Sequence, residues 1–261
     1  MKDDLDLILA AALEAGEIAL KRREEGLKIW TKPGDSPVTN ADMEVDSYLT
    51  RRLIGARPDY GWLSEETADE PARLEKRRLF VVDPIDGTRA YAKGRPWFAV
   101  SVAVVEDGRP VAGVVHAPEL KETFTAVRGG GARLNGLPIV PSDCSVVEGC
   151  AMLGDKGMFA HPAWPTPWPA MRIESRNSIA YRLCLVASGA FDAAVAPSGK
   201  SDWDLAAADL IVSEAGAVIC DMRGRPFVYN RPVPQQAGLI CAAPALAPLI
   251  LNHVAPIEWP T

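Results

Sequence analysis

The run Asp83-Pro84-Ile85-Asp86-Gly87-Thr88 follows directly on the apolar stretch Leu79-Phe80-Val81-Val82. Four apolar residues bounded by turn formers read as a buried strand. The chain must therefore deliver two carboxylates, three positions apart, at the mouth of that strand. Between them stand a proline with a fixed φ and an apolar residue whose carbonyl is free to point the same way. A glycine and a hydroxyl follow at once. Oxygen ligands of this kind suit a hard cation such as Mg²⁺, and the adjacent N–H groups and Thr hydroxyl suit a phosphate. Metal-assisted attack on a phosphate ester uses both. The same letters also make an ordinary turn, because Asp, Pro and Gly dominate turns for backbone reasons alone. The strand in front of them separates the two readings.

A length of 261 residues suits one large domain, or two lobes sharing an interface, with ample chain for a core. The net charge of −6 leaves no surplus of Lys and Arg to neutralise polymeric phosphates, which argues against nucleic acid and anionic membranes as partners. A small anionic substrate stays open, since bound divalent cations invert the sign of a local site. The five cysteines (Cys144, Cys150, Cys184, Cys220, Cys241) are odd in number and lack C-x-x-C spacing, so reduced thiols are expected. His116, His161 and His253 lie too far apart in sequence to suggest a zinc site. The opening Met1-Lys2-Asp3-Asp4 is acidic where a signal peptide is basic. No apolar run approaches the ~18–20 residues of a membrane span. These features predict a cytoplasmic protein.

Leu5, Ile8, Leu9, Ala12, Leu13, Gly16, Ala19 and Leu20 recur at helical steps and predict an amphipathic opening helix that ends near Glu25-Gly26. A short strand over Leu27–Lys32 and a turn over Pro33-Gly34-Asp35-Ser36-Pro37 follow. Thr39 opens a second helix that stops before Pro58. Strands are expected near Tyr60–Leu63, Leu79–Val82, Phe98–Val105, Pro110–Val115 and Thr123–Val127, the third and fourth as a hairpin. Prolines interleaved with Trp164 and Trp168 over 161–169 predict a surface loop or a lobe boundary. Beyond it helices over Asn177–Ser188, Trp203–Ala215 and Leu246–His253 alternate with strands over Phe191–Ala196, Ala217–Cys220 and Gly238–Cys241. Gly216 suits the position just past a helix end, where a positive φ is needed. The expected organisation is an N-terminal α+β lobe, 1–150, carrying most of the acidic site residues, and a C-terminal α/β lobe, 151–261, joined in one unit.

Four further acidic residues stand out. Glu65 and Glu66 follow the short apolar strand Gly61-Trp62-Leu63, and one of them reaches the Asp83 cation if that strand neighbours Leu79–Val82. Otherwise they are a solvated surface pair. Asp204 opens a helix rich in small residues, where the helix dipole alone would favour it. Thr39 and Asp42 match the T-x-x-D capping pattern, which needs no catalysis.

Taken together, Val82 to Thr88, the upstream Glu65-Glu66 and the downstream Trp203-Asp204-Leu205-Ala206-Ala207 resemble the three signatures of the inositol monophosphatase superfamily. The order matches, and the resemblance runs through Ser36 to Asp42, the hairpin strands and Cys184 to Gly189. It implies a layered αβαβα sandwich and a Mg²⁺-dependent phosphatase, often dimeric. It further implies one metal on Glu65, Asp83 and the Ile85 carbonyl, a second shared by Asp83, Asp86 and Asp204, and a weaker third on Glu65. The attacking water would be polarised by metal and by Thr88, itself bonded to Asp42. Gly87 and Thr88 N–H groups would hold phosphate oxygens. Inhibition by Li⁺ and Ca²⁺ is implied on the same ground.

Within the superfamily, Ser64 stands where inositol phosphatases usually have Gly, and Leu63-Ser64-Glu65-Glu66 looks like the 3′(2′),5′-bisphosphate nucleotidase branch. Arg89 after Thr88, and Arg182 two residues before Cys184, are basic as in that branch and are the candidate contacts for a second phosphate. Both are also ordinary surface charges in type. Pro197 to Lys200 lacks the acidic residue by which inositol enzymes grip a hydroxyl, and Ala208 replaces a common Gly. The expected substrate is a small phosphate ester, first a bisphosphate nucleotide such as adenosine 3′,5′-bisphosphate. Inositol phosphate, and histidinol or sugar phosphate, are the alternatives. A regulatory binding protein with residual activity is the competing class.

Overall fold

The computed structural model describes residues 1–32, 36–162 and 164–257. The helix α1 (Lys2–Glu25) is followed by a hairpin of β1 (Ile29–Lys32) and β2 (Ser36–Thr39), then α2 (Asn40–Ala56). Pro33, Gly34 and Asp35 of the expected turn lie outside the described residues. Next come β3 (Gly61–Ser64), β4 (Arg78–Asp86), the five-residue α3 (Thr88–Ala92), β5 (Ala99–Glu106) and β6 (Arg109–Ala117). The first half closes with β7 (Glu122–Val127), β8 (Ala132–Leu134) and β9 (Leu137–Pro138). The second half runs β10 (Ala151–Leu153), α4 (Lys156–Phe159), β11 (Arg172–Glu174), α5 (Ile179–Ala187), β12 (Ala193–Ala196) and β13 (Lys200–Ser201). It ends with α6 (Asp202–Ala215), β14 (Val218–Cys220), β15 (Gln235–Gln236), β16 (Leu239–Ala242) and α7 (Ala247–Val254).

Two larger sheets organise these elements. A seven-stranded sheet runs β3 to β9 in sequence order, parallel only between β3 and β4. A five-stranded mixed sheet has the order β11-β10-β12-β16-β14. Side-chain alternation along each strand feeds two layers at once. On the first sheet Phe80, Val82, Val100, Val102 and Val104 face α1 and α2, while Leu79, Val81, Ala99, Ala103 and Val105 face α5 and α6. On the second, Ala151, Leu153, Ala194 and Cys241 face that same inner helix layer, and Met152, Val195 and Ile240 face α7. The order is helix, sheet, helix, sheet, helix, the αβαβα sandwich expected from the resemblance.

The Pro/Trp segment belongs to the outer layer. Trp168 packs edge-on to Phe159 at 5.2 Å and to Trp164 at 5.3 Å, and its ring centroid lies 4.1 Å from that of His253 on α7. It covers the outer face of the second sheet. All five cysteines are free and four are buried. No helix among the described residues is long and apolar enough to cross a membrane.

The inner layer is packed tightly through small residues. Ala206, Ala207 and Ala208 are essentially inaccessible, and a Cβ on Gly113 of β6 would sit 2.8 Å from the Ala207 carbonyl oxygen. Gly113 lets α6 approach the sheet, and α6 carries Asp204 at its start. Gly113→Ala is expected to force α6 outward at a cost of about 1–3 kcal/mol, the usual range for overpacking. The thermal midpoint should fall by several degrees. An unchanged midpoint would show that α6 has slack at this contact.

Candidate active site

An odd separation along a regular strand sends two side chains to opposite faces. Asp83 and Asp86 nevertheless share one face, because β4 carries a bulge. Asp83 pairs with Ser101 and Asp86 with Ala99, so three steps on β4 match two on β5. The extra residue resets the alternation. Ile85 accordingly joins Phe80 and Val82 against α2, and both aspartates point to the α5/α6 side. Pro84 has no N–H to lose at such an irregularity, which is where strand prolines are tolerated.

The Asp83, Asp86 and Asp204 side chains each offer an oxygen, and these oxygens lie within 4.8 Å of one another. Asp83 and Asp86 are buried and Asp204 is half-buried. Each is fixed by donors from its own surroundings. Asp83 Oδ1 accepts from the Ile85 N–H at 3.1 Å. Asp86 sits on the N-terminus of α5, accepting from Ser178 Oγ at 2.5 Å and from the N–H groups of Ile179 and Ala180 at 3.1 and 2.6 Å. Asp204 closes a capping box on α6, accepting from the Ser201 N–H at 2.7 Å.

These anchors do not offset the electrostatic cost. Burial, followed by Glu65, Asp86 and Asp204, drives the Asp83 carboxyl well above the ordinary carboxylate range. Burial raises Asp86 to about 6 against its Ser178 and backbone bonds, and burial with Asp86 raises Asp204 to about 7. Like charges forced together in a dry site behave in this way. An all-oxygen donor set of this charge fits a hard divalent cation, and the Ile85 carbonyl oxygen lies 3.0 Å from the Thr88 hydroxyl oxygen.

Around the trio the remaining sequence-predicted residues take different positions. β3 does neighbour β4, and the Glu65 N–H bonds the Val82 carbonyl at 3.3 Å. Glu65 lies outside the trio, its carboxylate 3.4 Å from Lys32 Nζ, and Glu66 meets the same ammonium at 2.6 Å. Neither glutamate is a solvated surface residue. Burial raises both, Glu66 to about 7, with Lys32 opposing. Asp42 caps α2 through the Thr39 N–H and hydroxyl, and its other oxygen accepts from the Thr88 hydroxyl at 2.9 Å. Capping and site contact are thus carried by one carboxylate. Gly87, at φ 93°, leads into α3, and a Cβ there would lie 2.9 Å from the Trp97 carbonyl and 3.0 Å from the Ser178 nitrogen. Arg89 is exposed on α3. Arg182 is half-buried on α5, its Nε donating to the Arg176 carbonyl.

Sequence reading missed three residues here. Ser178 carried a legible signal, a Ser directly before an apolar helical run. Lys32 carried none, since it reaches Glu65 and Glu66 only through the β1–β2 hairpin. Lys200 likewise stands out only in three dimensions. It precedes the Ser201 cap of Asp204, and its ammonium bonds the Ser198 hydroxyl at 2.8 Å and the Ser198 and Gly199 carbonyls. Among the described residues neither Lys200 nor Arg182 enters an ion pair.

Fold, motif order and site geometry define a phosphatase of the layered αβαβα type. The chain belongs to the Inositol monophosphatase family, which it matches over residues 2–258. It is 30% identical over 266 residues to Nus factor SuhB of Pasteurella multocida, covering 98% of this chain and 97% of that one. It is 36% identical over 233 residues to a histidinol-phosphatase of Mycobacterium tuberculosis, covering 85% and 88%. Among solved structures the Thermotoga maritima IMPase superposes with a TM-score of 0.85 at 28% identity, covering 97% of each chain.

The raised carboxylates make a signed stability prediction. Between the ordinary Asp value of 3.8 and the site values of about 6 and 7, the folded chain holds protons that the unfolded chain has released. Stability then falls as pH rises through this window. His116 and His253, lowered by burial, work the other way near neutrality, but the acidic groups outnumber them. In chelator the thermal midpoint is expected to be lower at pH 8 than at pH 5, and millimolar Mg²⁺ should recover most of the loss. A midpoint that climbs from pH 5 to pH 8 in chelator would contradict this balance.

Proposed function

We propose that the protein is a Mg²⁺-dependent phosphomonoesterase acting on a small phosphate ester whose leaving group carries a second phosphate, a 3′(2′),5′-bisphosphate nucleotide such as adenosine 3′,5′-bisphosphate. The observation that carries the reading is the pairing of a dense carboxylate trio with two cations, Arg182 on α5 and Lys200 on β13, both between Asp86 and Asp204 in the chain. Mg²⁺ held by Asp83, Asp86 and Asp204, with Glu65 and the Ile85 carbonyl completing the ligand set, would neutralise charge on the ester and activate water as nucleophile. The protein's own groups do the rest. The Thr88 hydroxyl donates to Asp42, which leaves an oxygen lone pair to accept a proton from the attacking water. Gly87 and Thr88 open a helix, where backbone N–H groups are not consumed by helical bonds and serve the phosphate oxygens. No side-chain nucleophile is needed.

The leaving-group choice follows from charge. Lys200 and Arg182 feel Asp86, and Lys200 feels Asp204, so both stand near the trio. A cationic leaving group such as histidinol at ~7 Å from one of them loses on the order of 2 kcal/mol at an effective dielectric of ~20, and a second phosphate gains a similar amount. A neutral inositol is indifferent. Arg89, exposed on α3, would be a further contact. The relatives carry different names, so likeness supports the family without choosing the ester. The Nus factor name among them keeps a binding role as the competing reading.

A substrate panel tests the proposal. Adenosine 3′,5′-bisphosphate is expected to exceed inositol 1-phosphate and histidinol phosphate in kcat/KM by about tenfold or more in Mg²⁺. Lys200→Gln should raise KM for the bisphosphate about tenfold more than for inositol 1-phosphate. Asp204→Asn should lower kcat at least ~10²-fold on every ester, or ~2–3 kcal/mol. Preference for histidinol phosphate would overturn the substrate, and no Mg²⁺-dependent phosphate release from any ester would favour the binding role.

A further inference from the structure

The helix α2 presents two aspartates one turn apart, Asp42 and Asp46, on the face toward the site. Asp42 meets Thr88. Asp46 meets the turn that carries Glu65. Its Oδ1 accepts from Ser64 Oγ at 2.5 Å and its Oδ2 from Thr67 Oγ1 at 2.8 Å. Ser64 and Thr67 are the residues that bracket Glu65 and Glu66, so one carboxylate grips both ends of the turn. Each hydroxyl is used fully. Ser64 Oγ also accepts from the Glu66 N–H at 3.4 Å, and Thr67 Oγ1 from Trp62 Nε1 at 3.3 Å. The Glu65 N–H is tied to β4 through the Val82 carbonyl. Asp46 is only 7% exposed and enters no ion pair among the described residues. A buried carboxylate without a cation is an expensive way to join a helix to a strand, when apolar contacts would serve. Val45, Leu49 and Leu53 already make such contacts from the same helix.

We infer that Asp46 is a positioning residue that fixes the Glu65 turn for cation binding through a two-ended clamp on Ser64 and Thr67. The inference rests on the reading of Glu65 as a ligand. It gives Ser64 a role other than substrate contact, because its hydroxyl is turned to α2. Groups that orient a ligand from behind typically change cation affinity ~10–100-fold when removed.

Mg²⁺ binding measured by calorimetry, alongside kcat at saturating Mg²⁺, tests it. Asp46→Ala is expected to weaken Mg²⁺ binding at least tenfold while kcat at saturation stays within about threefold. Ser64→Gly and Thr67→Val, each removing one end of the clamp, should weaken binding by about threefold or more. Asp46→Asn, which keeps one acceptor, should fall between Asp46→Ala and the parent. A lowered thermal midpoint with Mg²⁺ affinity within twofold of the parent would overturn the inference and leave Asp46 as a helix–strand tie. If Asp46→Ala does not fold, the same criterion applies to Thr67→Val and Ser64→Gly. Glu65→Gln separates the two levels. Unchanged affinity in that variant removes the ligand assignment itself, whereas lost affinity there with unchanged affinity in the clamp variants removes only the clamp.

Discussion

Three carboxylates that repel one another are held together before any cation arrives, and much of the second half of the chain is arranged to hold them. Asp86 crosses from β4 to the first turn of α5, where the helix dipole and two backbone N–H groups meet it. Asp204 faces it from the first turn of α6, braced by its own cap. The same contacts that place these carboxylates therefore join the two halves of the chain, through the inner helix layer. The repulsion that remains shows in the raised carboxyls, and it is a local loss of stability kept at the site for function.

The local signals of this arrangement were strongly legible. A buried strand ending in D-P-I-D-G-T, a long amphipathic opening helix, the β5–β6 hairpin and the cap at Thr39 each follow from short-range rules, and each sits within a few residues of its expected bounds. The parity of the site was legible in principle and not read. Asp83 and Asp86 share a face only because Pro84 and Ile85 bulge, and a proline inside an apolar strand is the signal for that irregularity. The second sheet was harder. Its β10 and β11 have three residues each, too few for any periodicity to show, and they gain their identity from parallel pairing with each other.

The Pro/Trp segment shows a different limit. Its prolines correctly announce the absence of long regular structure, but they say nothing of where the chain goes. Trp164 and Trp168 bury their rings on α7 and Phe159 and so act as part of the outer helix layer without being helical. Large aromatic area substitutes for secondary structure there. Lys32 and Lys200 were invisible for a related reason, since a lone lysine on a short strand acquires meaning only from the carboxylates that folding brings to it.

Ser64 has a structural part to play besides marking a branch of the superfamily. Where many relatives in the superfamily are expected to carry Gly, its hydroxyl donates to Asp46 of α2. A change beside a ligand need not touch the substrate at all. The basic side chains coupled to the trio come from elsewhere, from Lys200 before α6 and Arg182 on α5, neither in an ion pair among the described residues. The acidic residues of the site come mainly from the first half of the chain and these two basic residues from the second. A single αβαβα scaffold is shared with relatives that carry different names, so fold alone does not choose the ester.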